Sequence, residues 1–140
     1  MANNEIPVKI VVKTTIDKEE TFELTVFGRF FQKGQASYLQ YEEAMDEGKV
    51  RTIVKAAADD MLILRSGAVN MRLPFQLEKT LPGRYELPFA ALETTTLAKK
   101  MQFFYENGCG LIEIVYDFSI AGEQTGTYHL EIKFEKCSSL

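Results

Sequence analysis

Arg65 and Arg72 are the residues best placed to do chemistry in this chain. They flank Ser66-Gly67-Ala68-Val69 within an apolar run, MLILRSGAVNMRLPF, at residues 61–75. A guanidinium stays charged and presents a planar fork that suits a carboxylate or phosphate. Among strand-forming residues it has two readings. On an outer face it pairs with a neighbouring carboxylate, for under about 1 kcal/mol. On an inner face a lone charge is costly, and both arginines would then receive the anion of a ligand. Tyr116 and Tyr128 stand among apolar residues. A buried hydroxyl needs a partner, so these two are candidates to line the same pocket. Arg51 and Lys55 could instead join the arginines in a four-cation outer patch that holds a protein or RNA partner.

The other candidates are weaker. His129 is the only histidine and alternates with Glu131 and Lys133, which reads as a surface position. Glu113 and Asp117 come across from the preceding strand, but no serine or cysteine is placed to be activated. No enzyme is therefore expected. One histidine and two distant cysteines, Cys109 and Cys137, make no zinc set, so neither metal nor cofactor is expected. Tyr38 and Tyr41 form an aromatic-acidic cluster with Glu42 and Glu43. The acids Glu42, Glu43, Asp46 and Glu47 read as a solvated turn, as do Asp59 and Asp60. No glycine-rich loop opens a helix as a phosphate cradle does.

The 140 residues are 46% hydrophobic and 26% charged, with a net charge of -4. That composition predicts one soluble domain, residues 1–140, with a real core. The acidic balance argues against a dedicated nucleic-acid binder. No signal peptide and no membrane-length apolar run of about 18 residues is read. Two cysteines without a secretion signal fit a reduced, cytoplasmic protein with free thiols.

The elements that must position these residues follow from period-2 alternation. Residues 6–16 place Val8, Ile10 and Val12 on one face. Residues 21–27 place Phe22, Leu24 and Val26 likewise. Shorter strands are expected at 36–41, 50–56 and 84–87, with a loop over 76–82. Residues 89–100 carry both helix and strand signals, and their neighbours favour strand. Ile112, Ile114, Tyr116, Phe118 and Ile120 share one face, as do Tyr128, Leu130, Ile132 and Phe134. Phe103, Phe104 and Tyr105 would form a dimer surface if exposed together. In 61–75, Gly67 and Ala68 suit a two-residue type II′ turn. That register places Leu62, Leu64, Met71, Leu73 and Phe75 on one face, and Ile63, Arg65, Asn70 and Arg72 on the other. Eight to ten short strands, little helix and sequential hairpins predict an all-β sandwich or barrel. An up-and-down barrel is favoured because closure removes exposed edges.

The run ILRSGAVNMR, then GRYELPFAALETTT, GLIEIVYDF and GTYHLEIKFE, resembles the YwiB-like family of uncharacterised bacterial proteins across nearly the whole chain. The resemblance implies a calycin-like barrel, in the broad company of lipocalins and fatty-acid-binding proteins, and a bacterial cytosolic protein. It implies no activity and transfers no functional residues. The expected function is non-catalytic holding of a small apolar or amphipathic ligand, by a monomer or homodimer that meets neither membrane nor nucleic acid. The alternative is a filled barrel that works through its basic outer face.

Overall fold

The computed structural model describes residues 5–57 and 59–137. Ten antiparallel strands follow one another: β1 (Ile6–Ile16), β2 (Glu20–Lys33), β3 (Ala36–Met45), β4 (Gly48–Ala56), β5 (Asp60–Gly67), β6 (Asn70–Gln76), β7 (Thr80–Leu87), β8 (Ala90–Glu106), β9 (Cys109–Ile120) and β10 (Glu123–Lys136). Each pairs with its neighbours in sequence, and β1 pairs with β10, so the sheet closes into an up-and-down barrel. Residues 89–100 fall largely in β8, as strand. The loop expected at 76–82 shrinks to three residues, because β7 already starts at Thr80.

The alternation that marked the strands also marks the interior. Val8 and Ile10 of β1, Ile112, Ile114, Tyr116 and Phe118 of β9, and Leu130, Ile132 and Phe134 of β10 are all buried in one core. Lysines and glutamates alternate with them on the outside, as at Lys9, Lys133 and Glu135. Apolar inside and charged outside is the reverse of a membrane-spanning barrel. Among the described residues, no helix is long and apolar enough to cross a membrane.

One end of the barrel is plugged by aromatic rings. The Phe30 ring centroid lies 4.4 Å from that of Tyr105 and 4.9 Å from that of Phe134. Gly110 makes the plug possible, since a Cβ there would overlap the Phe134 ring. On the same strand as Tyr105, Phe103 faces inward while Phe104 is exposed. The three aromatics therefore do not form one outer patch. At this end β8 and β9 join through Asn107 and Gly108, whose φ values of 55° and 82° are those of the tight turn the Asn-Gly pair predicts.

At the opposite end the wall parts. β2 and β3 pair only from Gly28↔Tyr41 to Lys33↔Ala36. Residues 20–27 of β2 hold β1 alone, and residues 42–45 of β3 hold β4 alone. A second thin seam lies between β6 and β7, which pair only across Asn70–Arg72 and Arg84–Glu86. Pro74 and Pro82 border this seam and have no N–H to donate to a ladder. Thr96 of β8 bridges it, donating its hydroxyl to the Pro74 carbonyl.

The β5–β6 hairpin is the main correction to the sequence reading. The pairs are Ile63↔Leu73, Leu64↔Arg72 and Arg65↔Met71, one residue out of the expected register. Ile63, Arg65, Met71 and Leu73 face the interior, and Leu62, Leu64 and Arg72 face out. The last inner pair is Arg65↔Met71, so residues 66–70 make the connection instead of a two-residue turn at Gly67 and Ala68. Gly67 stays in β5 as the ladder partner of Val50, and Asn70 starts β6 as the partner of Glu86. A slip of one residue moves every side chain to the other face. Arg65 and Arg72 therefore lie on opposite sides of the wall.

Candidate functional site

Above the aromatic plug the interior stays hollow. A cavity of about 330 Å³ opens toward the end where β2 and β3 part. This is the size range of small-molecule sites. Val54, Ile63, Leu73, Leu130 and Ile132 make its apolar wall, and Phe22 and Leu24 of β2 flank the opening.

Few polar groups converge on this space. Arg65 enters from β5 and Glu43 from β3, and Arg65 Nη2 donates to Glu43 Oε1 at 3.1 Å. Their side chains are only 25% and 20% exposed, which places the pair between core and solvent. Glu43 is thus a wall residue rather than part of a solvated turn. Burial and then the Glu43 carboxylate hold the Tyr41 hydroxyl above its usual pKa, while Arg65 opposes them. Burial raises that of Tyr116 further, so both phenols are neutral donors at any physiological pH. Tyr116 stacks on Tyr128 with ring centroids 5.4 Å apart. Thr52 is the side-chain hydrogen-bond neighbour of Tyr41 and weakly lowers its pKa. Yet Thr52 Oγ1 is buried with no partner at hydrogen-bond geometry. A ligand atom would give Thr52 Oγ1 a better-aligned partner than the Tyr41 hydroxyl beside it.

Of the residues singled out from the sequence, Arg65, Tyr116 and Tyr128 meet in this cavity and Arg72 does not. Sequence reasoning missed Thr52 and Tyr41 as a polar pair, and missed Glu43 as the partner of Arg65. The alternation of Ser37, Leu39, Tyr41 and Glu43 in β3 was the available signal. The four-cation patch does not assemble. Arg65 is inside, Arg51 is paired with Glu42 at 3.2 Å, and only Lys55 and Arg72 remain together on the outer wall, beside Asp60.

A second polar cluster lies on the outside. A bulge between Ala98 and Lys100 turns two successive lysines outward. Lys99 meets Asp117 at 3.1 Å and Lys100 meets Glu113 at 3.4 Å. His129 Nε2 lies 2.5 Å from the other Glu113 oxygen. Burial would raise the Glu113 pKa, but His129 and Lys100 outweigh it and hold the carboxyl low. Asp117 is also held below its usual range, first by the Thr127 hydroxyl that donates to it at 2.7 Å and also by Lys99, against the effect of burial. A carboxylate depressed on folding adds stability above its unfolded pKa, and that stability disappears as pH falls through the folded value. The melting temperature is therefore expected to fall on acidification through and below the usual carboxylate range. Asp117→Asn should lower stability at neutral pH and flatten this slope, and an unaltered slope in a melting series would remove Asp117 as a cause.

Fold and cavity together define a closed ten-stranded antiparallel barrel with a one-ended internal pocket. The family model described as "Domain of unknown function (DUF1934)" matches residues 6–132, and the chain belongs to that family. It is 34% identical over 134 residues to the "Uncharacterized beta-barrel protein YwiB" of Bacillus subtilis (strain 168), covering 94% of each chain. It also superposes on the crystal structure of ywiB protein from Bacillus subtilis with a TM-score of 0.87 and 32% identity, over 96% of this chain and 94% of that one.

Proposed function

We propose that this chain is a non-catalytic, cytoplasmic holder of one small amphipathic ligand, working in the manner of a calycin barrel. The observation that carries the reading is the half-buried Arg65–Glu43 pair in a largely apolar cavity, whose other polar lining includes Thr14, Glu23 and Thr52. A ligand's apolar body fits against Ile63, Leu73, Leu130 and Ile132. Its acidic head competes with Glu43 for the guanidinium fork, where a bidentate contact is available. Thr52 and the neutral Tyr41 hydroxyl supply further hydrogen bonds. The comparison with lipid-holding barrels is an analogy of architecture, and the site residues make the argument.

Titration with a fluorescent fatty acid tests the reading. Losing a hydrogen bond to a charged group costs about 1.5–3 kcal/mol, so Arg65→Ala should weaken binding by roughly 10- to 100-fold. Arg72→Ala should leave it unaltered, because Arg72 lies outside the wall. Equal affinities for Arg65→Ala and the parent chain would overturn the assignment of Arg65. Native mass spectrometry of the protein from its own cytosol should show a stoichiometric adduct that is lost on denaturation.

A further inference from the structure

We propose that the outer wall of the barrel carries a divalent-metal site, formed by Glu113 of β9 with His129 and Glu131 of β10, that takes a first-row ion such as zinc. The ladder builds the site. Glu113 and Glu131 are direct cross-strand partners, and His129 lies one repeat along the same face. One donor atom from each of the three falls within 4.8 Å of the other two. Donors around a tetrahedral zinc lie about 3.4 Å apart, given bonds of about 2.0–2.2 Å, so the set closes when the His129–Glu113 contact of 2.5 Å widens to admit the ion and the partly exposed Glu131 changes rotamer. An imidazole and two carboxylates suit zinc and its neighbours in the first row. Three protein ligands leave a position open to water.

Two further features favour an ion over a plain salt bridge. Two acids directly opposite in an antiparallel ladder repel each other, and Glu131 has no ion-pair partner among the described residues, whereas Glu113 has both Lys100 and His129. The carboxylate of Glu113 is also oriented in advance. Its side chain is 10% exposed, Lys100 holds Oε1 at 3.4 Å, and Oε2 is left facing the imidazole. Partners that orient a ligating carboxylate in this way strengthen metal sites. Lys100 stays on Oε1 while the ion takes Oε2. The site lies across the wall from the ligand cavity, and nothing in it depends on the cavity being filled.

Cobalt(II) and zinc(II) are the probes, used on the full chain with Cys109→Ser and Cys137→Ser, so that thiols cannot supply the ligands. Calorimetric titration should find one ion per chain. Bound cobalt should show a visible spectrum without sulfur-to-metal charge transfer, and zinc should raise the melting temperature. His129→Ala and the shape-conserving Glu131→Gln should each weaken binding at least about tenfold, with the fold retained by circular dichroism. Absence of saturable binding, or affinities unaffected by both substitutions, would overturn the site.

Discussion

Phe30→Ala is expected to cost about 3–5 kcal/mol, the range for removing a buried phenylalanine. Phe30 is 2% exposed and stands at the centre of the plug, against Tyr105 and Phe134. Its neighbours cannot collapse into the vacancy. Phe134 is held over Gly110, where no side chain exists to follow it, and the ladders on either side fix the backbone. For a domain whose whole stability is about 5–15 kcal/mol, the loss is a large share. Urea unfolding should show a lower midpoint with an unaltered slope. Phe104→Ala is the control. Phe104 is one residue from Tyr105 but on the outer face, and its loss should cost well under about 1 kcal/mol. Comparable costs for the two would mean that the plug does not close the barrel. The same substitution should also lengthen the cavity toward the plugged end, so that Phe30→Ala accepts longer ligands if it stays folded.

Arg65→Leu should destabilise the unliganded protein by about 1–3 kcal/mol, because it strands the Glu43 carboxylate in a half-buried wall without its partner. The sign separates Arg65 from an ordinary surface arginine. Arg72→Leu, on the outside of the same hairpin, should stay within about 0.5 kcal/mol. Adding Glu43→Gln to Arg65→Leu should recover part of the loss, since the stranded charge is then gone. The coupling energy of that double-mutant cycle is the cleanest measure of the pair. A coupling near zero would mean that solvent screens the two charges fully, and would remove the reason to expect Arg65 to prefer a ligand's anion to water. The largest loss of binding and a clear loss of stability are thus expected at one residue.

Strand number, order and most inner faces were legible in the chain. In β1, β9 and β10 apolar and polar residues alternate, so the sequence alone assigns Val8, Ile10, Ile112, Ile114, Leu130 and Ile132 to the core. Tyr116 and Tyr128 followed by the same rule. The rule failed in MLILRSGAVNMRLPF. There Leu62, Ile63 and Leu64 are all apolar, and Met71, Leu73, Pro74 and Phe75 leave only Arg72 polar among them, so period 2 carries little information. The turn chemistry of Gly67 then points to a register one residue away from the one the ladder adopts. It also failed for Glu42 and Glu43, because acids beside a turn look alike until the ladder shows which one points inward.

By itself, then, the sequence determined an all-β chain of consecutive hairpins with a continuous apolar face, because side-chain burial repeats every two residues and needs no knowledge of the partner strand. Only the tertiary structure decided which side of the wall Arg65 and Arg72 occupy, where β2 and β3 part to open the cavity, and that Glu113, His129 and Glu131 meet. Each of these depends on the register between neighbouring strands. In β5 and β6 that register gives Ile63↔Leu73 and Arg65↔Met71, with Gly67 also paired to Val50 and Asn70 to Glu86 on the outer flanks.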